Sequence, residues 1–124
     1  MSRPGVPLAV IDGIESNRGG EGPWIQGTAP IKPRLLLLGR NAVCTDAICA
    51  AVMGYDPMAG HGQFPFQGDN HLKLLAQVGA GTIDPAKIEV RGLSIKEALH
   101  PFNPQRLRVV HPLSYQCHFA RQHV

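Results

Sequence analysis

Four consecutive leucines, Leu35 to Leu38, stand between Pro33 and Gly39. This run constrains the fold more than any other stretch. It is too short for a typical helix and offers no polar side to water, so it reads as a strand over 34–39 covered on both faces. Leucine is also a helix former, so the reading rests on the bracketing proline and glycine. A second apolar run, Pro7-Leu8-Ala9-Val10-Ile11, reads as a buried strand ending at Asp12.

The rest of the chain fits around these two runs. Residues 13–32 form a long loop rich in glycine and proline. Asn41 is a plausible cap for a helix over 42–53, which Gly54 and Asp56-Pro57 stop. A second loop covers 55–68. Asp69 or Asn70 then caps a helix through about Val78, with Leu72, Leu75 and Ala76 or Val78 on its buried side. Lys87-Ile88-Glu89-Val90-Arg91 alternates polar and apolar residues, as a strand with one wet face does. Ser94 caps a short segment, Ile95 to Leu99, with Glu97 placed for a capping box. The expected class is α/β: a small sheet of three or four strands with two main helices, as in a fragment of a larger α/β domain.

Fourteen glycines and eleven prolines among 124 residues agree with short elements and many turns, and 44% hydrophobic residues agree with a folded chain. No apolar run approaches the roughly 20 residues a membrane span needs, and residues 1–5 do not open a signal peptide, so no membrane is expected and the cytoplasm is the default compartment. The formal net charge of +3 resides in a basic tail, residues 103–124, which carries Arg106, Arg108 and Arg121 without an acid. The body, residues 1–102, is neutral, with its basic residues scattered rather than gathered on a face, so nucleic acid is not the expected partner. Leu107, Val109 and Val110 in the tail fit an edge strand. Cys44, Cys49 and Cys117 include no C-x-x-C pair, which argues against a zinc ribbon, a disulfide scaffold or a self-contained cluster.

Several residues are candidates for chemistry. Gly19-Gly20-Glu21-Gly22 suggests a phosphate cradle, but Pro23-Trp24-Ile25-Gln26 follows where a helix would have to open. Gly20 and Gly22 still allow a ligand or a partner to approach the backbone, although a plain structural loop needs them equally. Asp12 ends a strand, where α/β sheets place ligands. Asp46 lies in the first turn of the helix that follows the second strand. If the two strands are neighbours, Asp12, Glu15 and Asp46 converge at one sheet edge and can hold a divalent metal, with Asp12 and Asp46 as ligands. The plainer roles are a turn bond for Asp12 and a helix-dipole contact for Asp46. His71, at the start of the second helix, is either a site residue or a helix-terminus residue. No Ser-His-Asp pattern is present.

Ile11-Asp12-Gly13-Ile14, then Glu15 with Gly20-x-Gly22-Pro23 and Gly27, form a first landmark. Leu38-Gly39-Arg40-Asn41-Ala42-Val43-Cys44-Thr45-Asp46-Ala47 form a second. Met53-Gly54-Tyr55-Asp56-Pro57, His71-Leu72 and Gly79-x-Gly81 complete a set that resembles the C-terminal part of domain-of-unknown-function family 362. The resemblance covers roughly residues 8–102. Members of that family are largely uncharacterised, and some carry ferredoxin-like iron–sulfur modules. The cysteine motifs of such modules are missing from this sequence, so no cluster is expected in it. Members also extend upstream into a further α/β region, so the resemblance implies a truncated domain, with the missing half or another subunit as partner.

Two functions follow as expectations. One is a ligand- or metal-binding half-site of a larger enzyme-like domain, built from Asp12, Glu15, Gly20, Gly22, Asp46 and His71. The other is a non-catalytic binding or assembly module whose glycine-rich loop docks on another segment or subunit. Convergence of the carboxylates favours the first, and divergence beside an exposed apolar edge favours the second.

Overall fold

A computed structural model of the chain describes residues 8–20 and 24–103. The order of elements is β1 (Ala9–Gly13), β2 (Ser16–Arg18), β3 (Ala29–Ile31), β4 (Leu35–Gly39), α1 (Ala42–Val52), α2 (His71–Gln77), a 3-10 turn (Pro85–Lys87) and α3 (Ile95–Ala98). The chain is α/β, as its sequence reads. The four strands among the described residues form two antiparallel ladders of two strands each, β1 with β4 and β2 with β3. The edge strand expected around Leu107 to Val110 lies outside the described residues.

The two ladders are halves of one long hairpin. Gly13 pairs with Leu35 and Ser16 with Ile31, so residues 14 and 15 face residues 32 to 34 across the break. That is one residue more on the returning strand, the count of a β-bulge. Arg34 absorbs it by adopting a left-handed backbone, φ 57°, and its N–H still donates to the Ile14 carbonyl at 3.2 Å. The supposed loop over 13–32 is therefore largely the distal half of this hairpin. Ser16, Asn17 and Arg18 form its rising strand without any apolar alternation, which is why the sequence hides it. At the tip, Gly19 has φ 89° and lies against the Gly27 carbonyl, where an added Cβ would come within 2.6 Å of the oxygen.

Alternation along β1 and β4 sorts the leucines. Leu35 and Leu37 are half-buried toward α1, while Leu36 and Leu38 stand exposed on the other side. Among the described residues the sheet is thus covered on one face only, whereas the unbroken apolar run led to the expectation of two. Helix α1 packs on the covered face through two apolar clusters. Val43 and Ala47 meet Leu72 and Ile83, and Ile48, Ala51 and Val52 meet Ile95, with Ile88 touching both groups. The close fit has a visible cause at Gly39, where a Cβ would collide with the Thr45 hydroxyl that donates to the Asn41 carbonyl.

Two asparagines fix the helices in place. Asn41 caps α1 by accepting from Cys44 N–H at 3.0 Å and donates to the Ala80 carbonyl at 2.8 Å. Asn70 is buried, accepts from Leu72 and Lys73 N–H groups, and donates to the carbonyls of Pro57 and Ala59. It settles the choice of cap between Asp69 and Asn70, and it ties the loop over 55–69 to α2. Only Leu72 and Ala76 of that helix reach the core; Leu75 and Val78 are exposed, because a helix this short turns little of its surface inward. Ser94 and Glu97 form the expected capping box of α3.

Residues 87–91 are not a strand. The 3-10 turn capped by Asp84 ends at Lys87, and the chain then runs extended, with Ile88 and Val90 half-buried and Glu89 and Arg91 exposed. The alternation is the one the sequence shows, but no strand among the described residues pairs with it.

Candidate functional site

A concavity lies between β4 and this segment. It is an open groove of about 950 Å³, with Leu35 to Gly39 along one wall and Ile88 to Leu93 along the other. Ile48 and Val52 of α1 with Ile95 and Ala98 of α3 also line it, so its lining is largely apolar. Polar groups sit at the end where β4 runs into α1: Arg40, Asn41, Cys44 and Thr45. Asn41 and Thr45 already spend their hydrogen bonds on the helix cap. Arg91 is held by Glu89, Nε to Oε1 2.8 Å, whereas Arg40 has no ion pair among the described residues.

A smaller pocket of about 140 Å³ lies at the C-terminal end of α1, where Cys49, Met53, His100 and Phe102 approach Ile11 and Leu37. The segment after α3 closes it. His100 N–H donates to the Val52 carbonyl at 2.8 Å and Phe102 N–H to the Met53 carbonyl at 3.0 Å. Burial, and secondarily the nearby Asp46 carboxylate, push the Cys49 thiol above its ordinary value. A thiol held neutral is a packing group rather than a nucleophile at neutral pH. Its sulfur lies 3.9 Å from that of Met53.

The residues singled out in the sequence take separate places. Asp12 is exposed and accepts the Ile14 N–H at 2.9 Å, a turn bond. Glu15 pairs with Lys32 at 2.9 Å on the surface, across the break in the hairpin. Gly20 abuts the Ile25 side chain at the hairpin tip, and Gly22 lies outside the described residues. Asp46 is exposed on α1 and falls beyond its first turn, which contains no acid. His71 opens α2 and meets the Phe66 ring edge-on, centroids 5.8 Å apart. A second histidine, His61, bonds to Asp69 at 2.7 Å and helps close the loop over 55–69.

β1 and β4 are neighbours, as convergence of the acids requires, but they are antiparallel. Asp12 pairs with Leu36 near the start of β4, while α1 and Asp46 follow its end. Asp12 also alternates onto the exposed side of the sheet, away from α1. Among the described residues no group of three or more His, Cys, Asp or Glu side chains is placed to hold a metal ion. Nor is any helix among them long and apolar enough to cross a membrane. The groove went unread in the sequence, although one signal for it exists: the strand-like alternation over 87–91 with no partner to pair it.

Compared with protein-family models, curated proteins and solved structures, the chain matches none.

Proposed function

We propose that this chain is a non-catalytic binding and assembly module, one part of an α/β layer that docks on another polypeptide segment or subunit through its sheet. One observation carries the reading. Val10, Leu36 and Leu38, on the outer face of the β1–β4 ladder beside Asp12, are 55%, 56% and 60% exposed. A sheet with apolar residues on both faces is built to sit between two layers, and α1 supplies only one. The partner that fits is a helix with an apolar stripe, packing on the outer face as α1 packs on the inner. Trp24, 76% exposed in the turn between β2 and β3, is a further residue of the kind interfaces use as an anchor. The resemblance to family 362 would make the partner its upstream α/β half.

The half-site reading has less support. Asp12 and Glu15 are engaged locally, and neither is brought to Asp46 or His71.

The test is an apolar-surface dye with the full chain and its Leu36→Glu/Leu38→Glu variant. The full chain should enhance the dye's fluorescence and self-associate with rising concentration. The variant should lose most of both effects with its far-UV circular dichroism unchanged. Equal dye response in the two folded proteins would sink the proposal.

A further inference from the structure

Cys49, Met53 and His100 line one pocket, the smaller one at the C-terminal end of α1. Cys49 lies in the last turn of the helix and Met53 is its C-cap, so one helical turn brings their sulfurs together, 3.9 Å apart. His100 reaches the pocket from a different element. Its N–H donates to the Val52 carbonyl at 2.8 Å, which sets the segment after α3 against the helix end. We propose that these three side chains form a binding site for a monovalent copper ion, with the Cys49 thiolate, the Met53 thioether and the His100 imidazole as its ligands. The site lies away from the outer sheet face and goes beyond the docking function above.

Geometry supports the sulfur pair. An ion bonded to both sulfurs at about 2.3 Å, with the sulfurs at their present spacing, subtends roughly 115° between them, close to the angle of a trigonal centre. Two donors on one turn of a helix also need little rearrangement to share an ion.

The donor set names the metal. Calcium and magnesium take oxygen ligands, and structural zinc takes thiolate, imidazole or carboxylate. A thioether beside a thiolate selects copper(I) instead, and imidazole suits copper as well. Methionine thus completes a set of three donors that His, Cys, Asp and Glu alone do not supply here.

The surroundings suit a soft cation. Ile11, Leu37, Val52 and Phe102 give the pocket apolar walls, Asp12 also lines it, and no Lys or Arg does so among the described residues. An apolar shell limits solvent access and so protects the reduced metal. Asp46, three residues before Cys49, acts electrostatically on that thiol, and the same negative charge favours a cation beside it. All three donors are half-buried, which leaves the ion a way in. Binding replaces the thiol proton: the S–H bond breaks, the proton goes to water, and a copper–sulfur bond forms with no change of oxidation state.

The test uses the full chain, reduced and kept from oxygen, with copper(I) buffered by bathocuproine disulfonate. The chain should withdraw one copper ion per molecule, and X-ray absorption should show two sulfur neighbours and one nitrogen. Met53→Leu conserves volume and apolar character, and it should weaken binding roughly tenfold or more, as should His100→Gln. A Cys44→Ser/Cys117→Ser variant should bind as the parent does, because neither thiol is a ligand in the proposal. Circular dichroism establishes that each variant is folded. Unchanged affinity in Met53→Leu or His100→Gln would overturn the proposal. So would loss of binding in the folded Cys44→Ser/Cys117→Ser variant, zinc bound as tightly as copper(I), or a folded parent chain that withdraws no copper.

Discussion

The two faces of the β1–β4 ladder share strands and register, yet among the described residues only one is covered. Leu35 and Leu37 lie under α1 beside Ile48, Ala51 and Val52, while Leu36 and Leu38, one residue away in each case, are more than half exposed. Strand period, not residue type, decides which leucine enters the core. The inner face shows that this chain can build a packed α/β interface by itself. The outer face carries no further layer among the described residues, and it is where the proposed partner would pack. Substitutions on the two faces should therefore differ sharply.

The largest effect belongs to the inner side. Ile48, 8% exposed on α1 in the cluster that packs against Leu35 and Leu37, should lose about 2–5 kcal/mol of stability on truncation to alanine. Leu38→Thr on the outer face should change stability by no more than about 0.5 kcal/mol and reduce association. Urea unfolding followed by circular dichroism measures both. A comparable loss at Leu38 would mean that the outer face is already covered, and the contrast would be gone.

Asn70→Ala comes next. It removes a helix cap and leaves the Pro57 and Ala59 carbonyls without their donor, so about 2–3 kcal/mol should be lost. Because Asn70 serves α2 and the loop over 55–69 rather than the sheet, dye binding at the outer face should not follow the loss while the chain stays folded. Parallel urea titration and dye binding would expose any coupling between the two.

How far the sequence revealed this arrangement depends on how local each cause was. The helix caps were legible because Asn41, Asn70 and the Ser94–Glu97 box act within three residues of themselves. Both principal strands were legible from apolar runs between breakers. The number of covered faces was not, since a continuous leucine run states what could be buried rather than what the chain supplies to bury it. The distal hairpin was hidden by its three-residue strands, one polar, Ser16 to Arg18, and the other interrupted by Pro30. The carboxylate site required Asp12 and Asp46 to share one end of the sheet, and the antiparallel direction of β4 is set by the bulged hairpin, which no motif announces. The extended segment over 88–91 was read correctly in its alternation but not in its pairing, because pairing belongs to two segments at once.

Arg34 offers a smaller adjustment at the bulge, where the bare and covered faces share a backbone. A non-glycine residue in the left-handed region costs about 1–2 kcal/mol, and glycine returns roughly half of that gain through its greater freedom in the unfolded chain. Arg34→Gly should therefore stabilise the hairpin by roughly 0.5–1 kcal/mol, visible as a higher thermal midpoint. A lower midpoint would show that the arginine side chain contributes contacts that outweigh its backbone strain.

The smallest expected effect is a pH response at α3, the element that closes the inner core through Ile95. The Glu97 carboxylate accepts from the Ser94 hydroxyl at 2.6 Å and from the Ser94 N–H at 2.9 Å, and these bonds, the hydroxyl's first, hold it below its ordinary value. A lowered folded value means that the ionised form is favoured by folding. Its contribution is complete above the ordinary carboxylate range and disappears as pH falls through the lowered value. The carboxylate is fully exposed, so the loss should be slight and weakened by salt. Glu97→Gln should remove most of this response while Ser94 still caps the helix through the Glu97 position's N–H. Thermal midpoints of the two proteins should therefore differ at neutral pH and converge in acid. If instead they fall in parallel, the acid sensitivity comes from other carboxylates, and the capping box contributes to the inner face through its backbone geometry alone.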